Sequence, residues 1–116
     1  MLTGKKILLI EDDPKLCYAL HAVLEARGYR VTAYSSAEAA AKLDGQKIDA
    51  AIIDVRLPEQ PGTEFAEALQ KKFGHIRIIL ITAFDDLEKY RSEFKTIPIL
   101  AKPFTMPQLT ALLEAT

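Results

Sequence analysis

Three acidic residues stand together at the end of an apolar run near the start of the chain, in ILLIEDDP (Ile7 to Pro14). Another, Asp54, ends a second apolar run, AAIID. Thr82 follows IRIILI, and Lys102 follows PILA. Two carboxylates about 4 Å apart repel by ~4 kcal/mol at an effective dielectric near 20. Such a cluster therefore calls for protonation or for a cation. Oxygen ligands without neighbouring His or Cys favour a hard ion such as Mg²⁺, which takes one or two carboxylates together with waters and a phosphoryl oxygen. Lys102 would add a second positive charge. A carboxylate placed among a cation, a lysine and a hydroxyl is suited to carry a phosphoryl group as an acyl phosphate, and Asp54 is the candidate.

For these residues to meet, the apolar runs must lie side by side. KILLI (Lys6 to Ile10), AAIID (Ala50 to Asp54) and IRIILIT (Ile76 to Thr82) are short, rich in Ile or Leu, and hardly alternate. Parallel strands buried on both faces have this pattern. RVTAY (Arg30 to Tyr34) and PILA (Pro98 to Ala101) are weaker and suit the sheet's edges. Helical signals fall between the runs. Asp13-Pro14 reads as an N-cap with proline in the first turn, followed by Leu16, Leu20, Val23, Leu24 and Arg27 at helical spacing up to Gly28. Ser35 or Ser36 caps AEAAAKL, which Gly45 ends. TEFAEALQKKF sets Phe65, Ala68, Leu69 and Phe73 on one side, before Gly74. DDLEKYRSEF carries Leu87, Tyr90, Arg91 and Phe94, and Thr105 caps a closing MPQLTALLEA. Five β-α units in series predict an α/β fold around a parallel sheet. Ligands of such sheets bind outside the carboxyl ends of the strands. The first strand delivers Glu11 and Asp12 to that edge, the third Asp54, the fourth Thr82, and the fifth Lys102 just beyond its end.

The 116 residues suffice for one domain, with no repeat or linker, so residues 1–116 are read as a single unit. A composition of 49% hydrophobic and 27% charged residues is that of a folded globular protein. The net charge of −1 gives no field to attract nucleic acid or an anionic membrane. No apolar stretch approaches the roughly 20 residues of a bilayer span. One cysteine, Cys17, excludes an internal disulfide and fits a reducing compartment. MLTGKK lacks the apolar core of a secretory signal, and the expected location is cytoplasmic.

Four motifs in order, LLIEDDP, IIDVRLPEQPG, ILITA and AKPF, resemble the receiver (phosphoacceptor) domains of two-component response regulators over essentially the whole chain. The resemblance implies a doubly wound (βα)5 fold, a single five-stranded parallel sheet in the order 2-1-3-4-5. It implies Asp54 as the phosphorylated residue. Asp12 would bind Mg²⁺ directly, with Glu11 nearby and often acting through water, and Asp54 and the backbone carbonyl of Arg56 as further ligands. Thr82 and Lys102 would each contact a phosphoryl oxygen. The Lys102-Pro103 bond is the candidate for a cis peptide. A domain of this kind takes its phosphoryl group from the phosphohistidine of a sensor histidine kinase or histidine phosphotransfer protein and later hydrolyses it. It is a switch acting on an output domain or partner, not a metabolic enzyme. The face of the fourth helix, fifth strand and fifth helix could form a homodimer.

The stretch between Thr82 and Lys102 departs from the family. FKTIP stands where a glycine-containing turn of small residues is usual, and Ile99 occupies the position of an aromatic three residues before the lysine. The sequence thus points to a remodelled output face, with Tyr90, Phe94 and Ile97 as either a contact surface or repacked core. Pro61 stands where an acid is common. Arg56, two residues after Asp54, either screens the site or pairs with an acid.

Other readings compete. Singly, Glu11 and Asp12 could solvate a loop, Thr82 could be a strand-end hydroxyl, and Lys102 a surface lysine. Asp13, before Pro14, is read as a cap rather than a ligand, Cys17 as a packing residue, and His21 and His75 as surface or loop residues. Lys42, Lys47, Lys71 and Lys72 read as solvated faces. An aspartyl phosphatase would need a second acid two residues after Asp54, where Arg56 stands. A pseudo-receiver acting only as a binding module would have no need to keep the five polar residues together, while the altered fourth-helix region keeps that alternative open, beside that of a phosphorelay intermediate to a histidine phosphotransfer protein.

Overall fold

Five short apolar runs become five parallel strands in the computed structural model, which describes residues 4–40, 47–74 and 76–115. The elements run β1 (Lys6–Ile10), α1 (Pro14–Ala26), β2 (Arg30–Tyr34), α2 (Ala37–Ala40), β3 (Ala50–Asp54), α3 (Gly62–Phe73) and β4 (Arg77–Ala83). A 3₁₀ turn (Phe84–Asp86), α4 (Leu87–Glu93), β5 (Ile99–Lys102) and α5 (Met106–Glu114) complete the chain. The strands stand in the order β2-β1-β3-β4-β5, and every pair is parallel. This is the α/β doubly wound architecture that the sequence predicts, with the two weak strands at the edges.

Two-residue alternation divides the core into two layers. Leu8, Ile10, Ala51, Ile53, Ile78 and Leu80 pack with Phe65, Ala66 and Leu69 of α3, and Leu87, Tyr90 and Phe94 lie against them. Ile7, Leu9, Ala50, Ile52, Ile79 and Ile81 face the other way, onto Leu20 and Leu24 of α1 and Leu109 and Leu113 of α5. Burying each of the Leu, Ile and Phe side chains contributes about 1.5–3 kcal/mol. The central strand β3 is buried along its whole length, which explains its unbroken apolar sequence.

The helix ends follow local chemistry. Asp13 accepts the Lys15 backbone N–H at 3.0 Å and caps α1, with Pro14 in the first turn, as expected. Ser36 accepts the Ala39 N–H at 3.2 Å, so Ser36 rather than Ser35 opens α2. Thr105 and Gln108 form a reciprocal capping box on α5. The Lys102-Pro103 peptide is cis. Among the described residues, no helix is long and apolar enough to cross a membrane.

Several details differ from the sequence reading. Strand β5 begins at Ile99, since Pro98 has no N–H for the ladder and only its carbonyl serves, accepting from Leu80 N at 3.0 Å. Lys102 is consequently the last residue of the strand, opposite Ala83. In α3 it is Ala66, not Ala68, that joins Phe65 and Leu69 in the core, because Gly62, Phe65, Ala66 and Leu69 fall at the i, i+3, i+4, i+7 spacing of one helix face. Val23 of α1 is exposed, the buried stripe being Leu20 and Leu24. The predicted fourth helix opens as a 3₁₀ turn and ends at Glu93. Ile97 and Ile99 are buried, and the partly buried Tyr90 and Phe94 pack against the same core, so these side chains belong to the packing on the α4 side of the sheet. Lys42, Gly45 and His75 lie outside the described residues.

Candidate phosphoacceptor site

The strand ends at one edge of the sheet carry the polar residues together. Leu9 and Ile52 belong to the α1/α5 layer, and continuing the alternation two residues further gives Glu11 and Asp54 the same parity. Leu100 packs on that layer as well, and Lys102 follows it by two. Three charged side chains from three strands thus share one side of the sheet. Lys102 Nζ donates to Asp54 Oδ2 at 2.7 Å and lies 2.9 Å from Glu11 Oε1. Glu11 and Asp54 are buried, at 1% and 4% exposure, which makes the ammonium their necessary counter-charge.

The backbone completes the cradle. The Asp13 N–H donates to Glu11 Oε2 at 3.1 Å, and the Arg56 N–H donates to Asp54 Oδ1 at 2.9 Å. Asp13 therefore has two tasks, capping α1 and orienting Glu11 through its amide. Burial, reinforced by the negative charge of Asp54, pushes the Glu11 carboxyl up to about 7 despite the opposing pull of Lys102 and the Asp13 amide. Burial works to lower the Lys102 pKa, but its bond to Asp54 and pairing with Glu11 outweigh this, and the net shift is upward. Cys17 is a free thiol raised by burial and by the charge of Glu11, the opposite of an activated nucleophile.

Glu11, Asp12 and Asp54 each offer a carboxylate oxygen, and the three oxygens lie within 4.8 Å of one another. Asp12 is exposed and the other two are buried, so the cluster opens to solvent on one side. A purely oxygen donor set of this kind fits a hard divalent cation. Thr82 lies one residue beyond Ile81, the partner of Asp54 across β3 and β4. Its hydroxyl is fully buried and, among the described residues, has no hydrogen-bond partner. A buried hydroxyl left unsatisfied costs about 1–3 kcal/mol, so this atom is suited to an added acceptor.

Sequence reasoning passed over two residues. Gly62 opens α3 where a Cβ would sit 1.9 Å from the backbone oxygen of Asp54, so only glycine lets α3 approach the strand end. A glycine closing the loop after Asp54, just before the predicted helix, was the available signal. Asp86 pairs with Arg56 at 2.9 Å, which answers the alternative for Arg56 in favour of an acid. Nothing in the sequence linked these two residues, 30 positions apart. His21 lies on α1, outside the acidic cluster.

A family model described as the response regulator receiver domain matches residues 7–114. The transcriptional regulatory protein ZraR of Salmonella typhimurium is 32% identical over 118 residues, covering 98% of this chain and 27% of its own length. The alkaline phosphatase synthesis transcriptional regulatory protein PhoP of Bacillus subtilis is 32% identical over 115 residues, covering 97% of this chain and 48% of its own. The chain thus spans a quarter to a half of these two curated relatives. Among solved structures, the non-phosphorylated HemR receiver domain of Leptospira biflexa superposes with a TM-score of 0.82 at 28% identity, covering 96% of this chain and 92% of that one. TrrA of Thermotoga maritima, solved in complex with Mg²⁺-BeF, gives 0.82 at 27% identity, with coverages of 95% and 96%.

Proposed function

The chain belongs to the response regulator receiver family, and from that premise we propose that Asp54 is the residue through which it accepts a phosphoryl group in two-component signalling. The observation that carries this reading is the double engagement of Lys102, 2.7 Å from Asp54 and 2.9 Å from Glu11, two buried carboxylates in a cluster whose exposed member is Asp12. Residues 1–116 would act as one such unit, in the cytoplasm.

An Asp54 carboxylate oxygen attacks the phosphorus of a partner's phosphohistidine. The P–O bond forms as the P–N bond breaks, and the imidazole nitrogen keeps the electron pair and takes up a proton. The Arg56 amide holds Asp54 Oδ1, so the same oxygen does not drift between rotamers. Lys102 neutralises charge developing on the phosphoryl oxygens, and the Thr82 hydroxyl donates to one of them. Glu11, Asp12, Asp54 and the Arg56 carbonyl would hold Mg²⁺, which when bound supplies further neutralisation of the phosphoryl group. In a separate later step, water attacks the phosphorus, the bond to Asp54 breaks, and inorganic phosphate leaves with the carboxylate restored. The donor would be a sensor histidine kinase or a histidine phosphotransfer protein, and the recipient of the signal an output domain or partner.

Incubation with acetyl phosphate and Mg²⁺, followed by intact-mass measurement, tests the reading. One phosphoryl adduct is expected on the wild type and none on Asp54→Asn. An adduct that persists in the variant, or none in the wild type, overturns it.

A further inference from the structure

Helix α4 has seven residues, and none of them is buried. Helices this short are unstable in isolation, so its position depends on a few contacts. Leu87, Tyr90 and Phe94 lie against the core. At its N-terminal lead-in, Asp86 pairs with Arg56 Nη2 at 2.9 Å. Arg56 holds the other end of the link, because its backbone N–H donates to Asp54 Oδ1 at 2.9 Å. A single residue thus touches the phosphoacceptor carboxylate through its main chain and the start of α4 through its side chain.

We infer that the Arg56–Asp86 pair is a charge-operated tether: it holds the start of α4 to the site loop until phosphorylation of Asp54 draws the guanidinium away. The inference rests on Asp54 accepting a phosphoryl group. Such a group carries close to two negative charges and three acceptor oxygens, and guanidinium binds this geometry by paired hydrogen bonds. Asp86 offers one negative charge in an exposed pair of modest strength. The Arg56 side chain is 75% exposed and that of Asp86 27%, so the exchange meets little steric resistance and water can take over at Asp86. The consequence is a looser α4, reached without any movement of the buried Ile99.

The test measures amide exchange of Leu87 and Tyr90 by NMR. Without phosphodonor, Arg56→Ala and Asp86→Ala should each speed this exchange two- to fivefold, and the double variant should be no faster than either. Silent single variants, or additive ones, overturn the tether. With Mg²⁺ and acetyl phosphate, and an adduct verified by mass, wild-type exchange should rise to the Arg56→Ala level. Arg56→Ala, once phosphorylated, should show no further change. An adduct that leaves wild-type exchange unchanged, or an equal response in Arg56→Ala, overturns the inference. Failure to form any adduct removes the phosphoacceptor reading and this inference with it. The arm without phosphodonor separates that failure from a defect in the pair itself.

Discussion

Lys102 Nζ stands 2.7 Å from Asp54 Oδ2 and 2.9 Å from Glu11 Oε1, one ammonium serving two buried carboxylates from different strands. Replacing it by Met leaves those carboxylates without a counter-charge. Breaking a fully buried pair costs about 3–5 kcal/mol, but the Lys102 side chain is 32% exposed and solvent screens part of this. Lys102→Met should therefore lose about 1–3 kcal/mol in urea denaturation without Mg²⁺. Added Mg²⁺ should restore more stability to the variant than it adds to the wild type.

The Glu11 carboxyl sets a pH dependence. Its pKa is about 7 in the fold against 4.5 for the free residue. Below about 4.5 both states bind the proton and the group contributes no pH-dependent penalty. Between 4.5 and 7 the unfolded chain releases the proton while the fold retains it, so metal-free stability declines as pH rises and levels off above 7. Glu11→Gln lacks this titration. The stability of the variant relative to wild type should rise across that window, measured by denaturation at pH 4.5, 6 and 8. A constant difference would refute the assignment.

Thr82 separates stability from function. Its hydroxyl is buried with no partner among the described residues, so Thr82→Val exchanges an unsatisfied polar atom for a methyl of similar size. Stability should stay within about 1 kcal/mol of wild type or increase. Phosphoryl transfer from acetyl phosphate should slow, measured as the rate of adduct formation by intact mass. A loss of stability without a change in that rate would assign Thr82 to the core alone.

Gly62→Ala tests the approach of α3 to the site. The new Cβ would lie 1.9 Å from the Asp54 backbone oxygen, so strand end or helix must shift. A cost of about 1–3 kcal/mol or more is expected from such overpacking. Mg²⁺ affinity should fall as well, because the shifted atoms adjoin Asp54. Gly74→Ala, at a positive φ with open space around it, should also lower the melting temperature but leave Mg²⁺ affinity unchanged.

The sequence by itself determined the five parallel strands, the helix caps at Asp13 and Thr105, and the meeting of Glu11, Asp12, Asp54 and Lys102 at one sheet edge. These follow from short-range causes: apolar runs of strand length, capping side chains, and alternation that sends strand ends the same way. Strand limits near Pro98 and the buried face of α3 shifted by a residue or two, because ladder pairing and the approach of Gly62 set them. The tertiary structure alone decided that one lysine bridges two carboxylates, that Arg56 reaches Asp86, and that Tyr90, Phe94 and Ile97 pack against the core on the α4 side of the sheet. Each of these depends on side-chain direction across segments distant in the chain. Local propensity carries no record of such distances; close packing and the need to neutralise buried charge impose them.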